Sequence, residues 1–393
     1  MIINSTSIKK YIHPSPQLIY LNLFDNKCLS IHKSIPLSIP LFRVAIMIDK
    51  NLNEQLKSTV TFIKEILAEE ADAIVDESDS EELISITFKN TISESSFHAF
   101  EPTTKKIKLA AVDGGSQRVL NGGSFIIGAY RASAMLFHGV ELIHHEPELG
   151  VKIQSISFEN RKELYSHAFQ NLIGELPGEF PRELMLLLQR LRTFEEWSVT
   201  SKVIDQLDEG DILLVDGSLK ASINKVDILF QNMMKSSKEK GVHLVGISKR
   251  STLRFNHAPL IRYVKRKGEK LFLPNQCWYC EIPDEAGHSQ MFGKRYIVKY
   301  HPKSLFVFRT DINRLDETEP GDIFAKIANY CSDATYLGYP YPLAHIHNKV
   351  VINRPIIEDI YYRLESIAIE DGVSHRNWDD LFANFHDILD RNL

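Results

Sequence analysis

Several absences in the 393-residue sequence limit what this protein can be. No apolar run approaches the roughly 20 residues that a membrane-spanning helix needs, and Met1–Lys10 lacks the basic-then-apolar order of a secretion signal. Only 4 cysteines are present, which fits a reducing compartment. The chain also has no GxxxxGKS/T phosphate loop. We therefore expect a cytoplasmic protein without a membrane segment.

The sequence also lacks a recognisable zinc-binding motif and an overall positive charge. The pair Cys277 and Cys280 has no second pair and no correctly spaced histidines, so we expect two strand cysteines rather than a zinc site. A net charge of −5 gives no global attraction to nucleic acid. Basic residues cluster between positions 249 and 270, however, where Glu269 is the only acid. The basic residues are Lys249, Arg250, Arg254, Arg262, Lys265, Arg266, Lys267 and Lys270. This segment is either a phosphate-binding patch or a solvated, lysine-rich hairpin.

Two apolar runs each end in an aspartate followed by glycine, at Asp113-Gly114 and Asp216-Gly217. Each run is typical of a buried strand that leaves the sheet in a tight turn. Carboxylates at such strand ends point into the crevice where open α/β sheets place their sites. The two aspartates could share a hard metal ion or accept a proton. Alternatively, each aspartate only begins its turn, since Asp-Gly is a common turn dipeptide.

The order of predicted elements favours an α/β protein with an RNase H-like core, which is a mixed sheet flanked by helices. Strand-like runs at 106–112, 124–136 and 140–144 are joined by short glycine-containing connections and predict an antiparallel meander. A helical region, a strand, a helix and another strand follow, at 160–207, 211–216, 220–238 and 242–248.

The remaining segments divide into an N-terminal region, insertions and a tail. Residues 1–100 have no assigned role, with strands and turns over 1–50, a helix at 51–75 and an acidic loop at 76–82. The core covers 105–355 and contains a β-rich hairpin insertion at about 253–310. Helices are predicted at 320–332 and 355–368, and 356–393 forms a C-terminal helical segment.

A third acid and a histidine could complete a site with the two aspartates. Glu195 and Glu196 lie on a helix whose buried side is marked by Phe194 and Trp197, so either glutamate could sit at its margin. His345 and His347 are two residues apart on a helix predicted from Leu343 and cannot share a face, so only one of them can reach a site. A histidine there could be a metal ligand or a proton carrier.

Five motifs together resemble the NurA nuclease family. They are VDGGS at 112–116, Arg192-x-x-x-Glu196, LLVDGSL at 213–219, GISKRS at 246–251 and GYPYPLAHIH at 338–347, in the family's order and rough spacing. The resemblance implies an RNase H-like, homodimeric deoxyribonuclease that uses Mn²⁺ or Mg²⁺. It also implies work with the hexameric ATPase HerA in DNA end processing, repair or anti-phage defence.

The resemblance also implies roles for individual residues. Asp113, Glu196, Asp216 and His347 would be metal ligands for two ions and catalytic residues. Lys249 follows the strand that ends at Ser248, beside the strand of Asp216 in the expected sheet order. It could hold the scissile phosphate or offset charge in the transition state, or it could be a solvated strand end. The DNA backbone would be bound by Lys249, Arg250, Arg254, Arg262, Lys265, Arg266 and Lys267. The activity implied is 5′–3′ exonuclease and single-strand endonuclease, although the sequence itself leaves polarity and strand preference open. His345 stays a rival because Ile346 replaces the family's usual alanine.

Two other classes compete with this interpretation. An actin-like phosphotransferase could also be built on an RNase H-like sheet, but it needs a second glycine-rich loop, and the C-terminal third has only Gly321, Gly338 and Gly372. A non-catalytic subunit that binds DNA ends or the ATPase is the other alternative. The presence of all four ligand types argues against it.

Overall fold

A computed structural model describes residues 87–88, 92–145, 150–221, 223–251, 253–255, 258–283 and 291–382, together with 57, 59–61 and 63. The chain divides into two compact units, Met1–Thr61 and Phe62–Leu393, and the second contains every strand below. The five described residues near 60 are helical, as predicted for 51–75. The rest of that helix and the predictions for 1–50 and 76–82 lie outside the described residues.

The central feature is a 10-stranded sheet in the order β2-β11-β12-β13-β8-β7-β3-β4-β5, with β6 also paired to β4. A small second sheet has the order β1-β9-β10. The strands are β1 Thr87–Phe88, β2 Phe97–Phe100, β3 Lys108–Asn121, β4 Phe125–His138, β5 Glu141–His145, β6 Lys152–Ser157, β7 Ile212–Asp216, β8 His243–Ser248, β9 Arg254–Phe255, β10 Ala258–Pro259, β11 Cys277–Ile282, β12 Gly293–Lys299 and β13 Phe308–Asn313.

The predicted RNase H-like core is confirmed. Strands β3, β4 and β5 form the antiparallel meander. Strand β7 then pairs with β3 in parallel, and β8 pairs with β7 in parallel. Among the described residues, no helix is long and apolar enough to cross a membrane.

Helices cover both faces of this sheet. They are α1 Arg161–Ile173, α2 Leu184–Gln206, α3 Asp227–Glu239, α4 Leu260–Leu271, α5 Pro320–Ala328, α6 Tyr341–Val350, α7 Arg354–Glu370 and α8 His375–Phe382. Alternation along β3 sends Ala110 and Val112 into one core with α2, and Leu109 and Ala111 into the other with α6. The strand that carries Asp113 is therefore fixed between two helical layers.

Strand β3 does not end at Asp113 as the sequence pattern predicted. It continues through Gly114 and Gly115 to Asn121, and the turn comes only at Gly122–Gly123. A Cβ on Gly115 would lie 2.1 Å from the carbonyl oxygen of Val350, and one on Gly114 would lie 2.7 Å from Oε1 of Glu196. These glycines therefore serve close approach by α6 and α2 rather than chain reversal.

The segment 253–310 also differs from the predicted hairpin insertion. Strands β11, β12 and β13 extend the central sheet, because β13 pairs with β8. Five residues of the basic cluster lie on helix α4 and not on a hairpin: Arg262, Lys265, Arg266, Lys267 and Lys270. Leu260 and Val264 are buried on the inner face of that helix, and a Cβ on Gly268 would lie 2.5 Å from the ring of Trp278. Close packing against the sheet thus explains a glycine inside a helix.

Smaller differences concern helix boundaries. The region 160–207 forms two helices, separated at Gly174, which has a left-handed φ of 85°. Helix α3 begins at Asp227 rather than at 220, and α6 begins at Tyr341, with Pro342 in its first turn. The helices predicted at 320–332 and 355–368 correspond to α5 and α7.

The two cysteines of the CxxC pair are strand residues, as interpreted from the sequence. Both are buried in β11, and their side chains join different hydrophobic clusters. Burial raises the pKa of Cys277 to about 11 and that of Cys280 to about 12, which keeps both as neutral thiols.

Candidate metal centre

Asp113 lies in the middle of β3 with only 4% of its surface exposed. Its Oδ1 accepts a hydrogen bond from the backbone N–H of Gly114 at 2.7 Å, and its Oδ2 lies 2.8 Å from Nδ1 of His347 on α6. Strand β4 flanks it on one side, where Asp113 pairs with Ser133. The carboxylate is therefore held by regular sheet and by one helix residue.

Asp216 ends β7, where Gly217 adopts a φ of 121° and turns the chain out of the sheet. Because β7 and β8 are parallel, the residue that follows β8 reaches the same edge. There the ammonium group of Lys249 lies 2.8 Å from Oδ2 of Asp216. The hydroxyl of Tyr339 donates to Oδ1 at 3.5 Å, and the Lys249 ammonium lies 5.9 Å from the centre of the Tyr339 ring.

Asp113, Asp216 and His347 form a cluster whose potential ligand atoms all lie within 4.8 Å of one another. Burial raises the pKa of Asp113, and the negative charge of Asp216 raises it further. The contacts with His347 and the Gly114 N–H act in the opposite direction. Two carboxylates and an imidazole suit Mg²⁺ or Mn²⁺, and a bound cation would relieve the crowding of negative charge.

Glu196, rather than Glu195, faces the aspartates from helix α2. Burial raises its pKa to about 8, and the charges of Asp113 and Asp216 add to this shift while Arg192 opposes it. The carboxyl group of Glu196 contacts the guanidinium group of Arg192, one helical turn before it. Glu195 instead lies 2.7 Å from the ammonium of Lys152, on a more exposed part of the helix.

The two histidines of α6 lie on different faces, as their spacing predicted. His347 contacts Asp113 and keeps 45% of its side chain exposed. His345 points to Tyr341, whose hydroxyl is 3.2 Å from Nδ1, and to the ring of Phe137. The structure therefore brings His347, and not His345, to the aspartates.

Arg131 fixes the end of α6, and sequence reasoning missed it. This arginine of β4 is 8% exposed. Its Nε donates to the carbonyl of Val350 at 3.0 Å and its Nη2 to that of Val351 at 2.8 Å. These carbonyls belong to the C-terminal end of the helix, which carries partial negative charge. No local pattern links a strand arginine to a helix more than 200 residues later.

Tyr339 was also missed as a site residue, although its place at the start of the YPYPL segment was a usable signal. It is 8% exposed and lies between Asp216 and the ring of Phe308. Burial raises its pKa well above its usual value, and the nearby carboxylates reinforce this shift, so the phenol remains a hydrogen-bond donor.

The predicted DNA-binding residues fall into two groups. Lys249 lies at the candidate metal centre, beside Asp216, while Arg250 and Arg254 are exposed beyond β8. The others lie on α4, where Lys265 donates to the carbonyl of Leu305 at 2.6 Å and Lys267 to that of Ile92 at 2.7 Å. Arg262 and Arg266 share this helix, and Arg266 is exposed. Part of the basic cluster therefore also anchors α4 to its surroundings.

Comparison with known proteins shows the fold class. No protein-family model and no curated protein sequence matches this chain. The NurA nuclease from Sulfolobus solfataricus matches with a TM-score of 0.50 and 17% identity, covering 82% of this chain and 98% of that one. Two endonuclease V structures match less well. That from Ciona intestinalis has a TM-score of 0.35, 9% identity and coverage of 67% and 92%, and the human one has 0.32, 15%, 67% and 93%. The chain thus shares its fold with the NurA nuclease.

Proposed function

We propose that this protein is a divalent-metal-dependent DNA nuclease that hydrolyses phosphodiester bonds by a two-metal mechanism. The observation that carries the proposal is the cluster of Asp113, Asp216 and His347, with Glu196 beside it. The motifs that resemble NurA sequences include these same residues. The shared fold supports the same conclusion.

The donor set suits Mn²⁺ or Mg²⁺. Asp113, Asp216 and His347 would hold the ions, and Glu196 would complete the set by exchanging its contact with Arg192 for one with a cation. Bound divalent ions supply Lewis acidity and a water of lowered pKa, which is the chemistry that phosphodiester hydrolysis requires.

The protein's own residues would position the DNA and move protons. Lys249 keeps 38% of its side chain exposed while its ammonium contacts Asp216, so it can also contact a phosphate oxygen. His347 is half exposed beside Asp113, where an imidazole can carry a proton between the site and solvent. The exposed arginines Arg250 and Arg254 and the outer face of α4 would bind the DNA backbone without reading sequence.

The cellular setting and the partner rest on the sequence resemblance and on the lack of a phosphate loop in the sequence. We propose a cytoplasmic homodimer that acts with a HerA-type hexameric ATPase, as a 5′–3′ exonuclease and single-strand endonuclease, in end processing, repair or phage defence. The absent phosphate loop supports an external ATPase, because the chain has no such device of its own.

The direct test is cleavage of end-labelled linear DNA by the purified protein in Mn²⁺, with chelator as the blank. Asp113→Asn and Asp216→Asn should each lower the rate by about 100-fold or more, because each substitution removes the negative charge of a metal ligand and leaves the side-chain volume nearly unchanged. Glu195→Gln is the matched control on α2 and should retain activity. Mn²⁺ should raise the Tm of the wild type but not that of Asp216→Asn, since only the folded wild-type site would bind it.

Two results would count against the proposal. Unchanged cleavage by both aspartate variants would show that the site is wrong. No cleavage by the wild type, alone or with its ATPase, would favour the non-catalytic docking role.

A further inference from the structure

Two apolar side chains are exposed in the loop between β12 and β13. Leu305 is 76% exposed and Phe306 is 65% exposed, whereas their neighbours Ser304 and Val307 are buried. Val307 packs in the hydrophobic cluster under α4. The loop therefore turns two large apolar groups toward solvent while the residues on either side hold it down.

The loop is fixed to the segment that leads into the metal centre. The hydroxyl oxygen of Ser304 accepts a hydrogen bond from the N–H of Phe306 at 3.0 Å and lies 3.0 Å from the carbonyl oxygen of Leu337. Gly338 has a φ of 90°, and a Cβ there would lie 2.3 Å from that hydroxyl oxygen. Ser304 thus ties Phe306 to the two residues before Tyr339.

A row of aromatic rings connects this loop to Asp216. The Phe306 ring centre lies 6.5 Å from that of Phe308, and the Phe308 centre lies 5.2 Å from that of Tyr339. The Tyr339 hydroxyl lies 3.5 Å from Oδ1 of Asp216. The exposed ring of Phe306 is thus the outer end of a continuous path to the candidate metal centre.

Positive charge lies along the same path. The Lys265 ammonium contacts the carbonyl of Leu305 at 2.6 Å and is 3.7 Å from Glu269. Lys303 is exposed within the loop, and Lys249 lies over the Tyr339 ring at the inner end. Ammonium groups beside exposed rings are the combination that binds single-stranded nucleic acid.

We propose that Phe306, with Leu305 beside it, is a stacking platform for an unpaired base of single-stranded DNA that enters the metal centre. This inference rests on the proposed nuclease function and names how its substrate is held. A duplex keeps its base faces stacked inside, so an exposed rigid ring binds a single strand better than a duplex. The platform would therefore favour single-stranded DNA or frayed ends.

The test measures binding of fluorescent oligothymidylate and of a blunt duplex in chelator, where no cleavage occurs. Phe306→Ala should weaken single-strand binding by about 5- to 100-fold, and change duplex binding less than about 2-fold. Phe306→Trp should retain single-strand binding because it keeps the aromatic face. Phe158→Ala is the matched control, since Phe158 is 50% exposed beside Arg161 but lies after β6. Photocrosslinking with a 5-iododeoxyuridine strand should place the crosslink at Phe306.

The outcomes separate this inference from the proposed function. If the wild type binds and cleaves single strands and Phe306→Ala binds them equally well, the platform is refuted while the nuclease proposal stands. Equal weakening of single-strand and duplex binding would also refute it. A wild type that neither binds nor cleaves DNA would overturn both proposals.

Discussion

Replacing Gly115 with alanine tests whether the seating of α6 against β3 controls the metal centre. The added Cβ would lie 2.1 Å from the carbonyl oxygen of Val350 and 2.9 Å from its carbonyl carbon. Both are backbone atoms that no rotamer change can move. Relief therefore requires the end of α6 and strand β3 to separate by about 1 Å, which is the kind of overpacking that typically costs about 1–3 kcal/mol.

The displacement should reach the candidate site because His347 is less than one helical turn before Val350. Its 2.8 Å contact with Asp113 and the 3.0 Å hydrogen bond from Arg131 to Val350 would both lengthen. A misplacement of about 1 Å can lower a catalytic rate by about 100-fold. We expect Gly115→Ala to lower the Tm and to lower Mn²⁺-dependent cleavage by about that factor, even at temperatures where it is fully folded.

Thermal melts and cleavage rates on the same preparation provide the measurement. Gly178→Ala is the control, because its Cβ would come no closer than 3.4 Å to the flexible side chain of Lys225. Full activity at a lowered Tm would refute the link between helix seating and chemistry. An unchanged Tm would refute the close approach itself.

Three further predictions follow from burial and charge. The raised pKa of Glu196, about 8, means that metal-free protein loses stability as pH rises from about 4.5 to 8. Glu196→Gln should remove that loss in melts with chelator, while cleavage is abolished. Arg131→Met should lower the free energy of unfolding in urea by about 2–4 kcal/mol, because buried carbonyls lose their donors, and Arg131→Lys should lose less. The buried thiols of Cys277, Cys280 and Cys331 should resist maleimide in the folded protein, as read by peptide mass spectrometry.

The strand order could be predicted from the sequence where the pattern was local. Apolar runs that end at Asp113 and Asp216 predicted β3 and β7, and the runs between and after them predicted the meander and β8. The Asp-Gly dipeptide was ambiguous, since glycine after aspartate is equally compatible with a turn and with a crowded strand interior. Only contacts with Glu196 and Val350 decide between the two, and they are remote in sequence.

Helices α4 and α2 were also hard to predict, because some of the contacts that explain their residues are remote in sequence. The basic residues of α4 lie in a segment rich in aromatic residues, and such a segment favours strands over a helix. Gly268 also weakens the helical pattern, and the reason for a glycine there is its close contact with Trp278 of a later strand. Glu195 and Glu196 both border the buried face of α2, so their spacing could not choose between them. In the folded protein the two differ in their partners, because Glu195 contacts Lys152 and Glu196 contacts Arg192.

The position of Asp113 inside a continuous strand divides the candidate site into fixed and adjustable parts. Strand β4 pairs with Asp113 itself and β7 pairs with the preceding residue, so the backbone that carries this carboxylate cannot move without breaking the ladder on either side. Glu196 and His347 are instead carried by helices α2 and α6, which no backbone ladder joins to the sheet. A change in the packing of α2 or α6 would therefore alter the distances of Glu196 and His347 from Asp113 while the backbone of Asp113 stays in place.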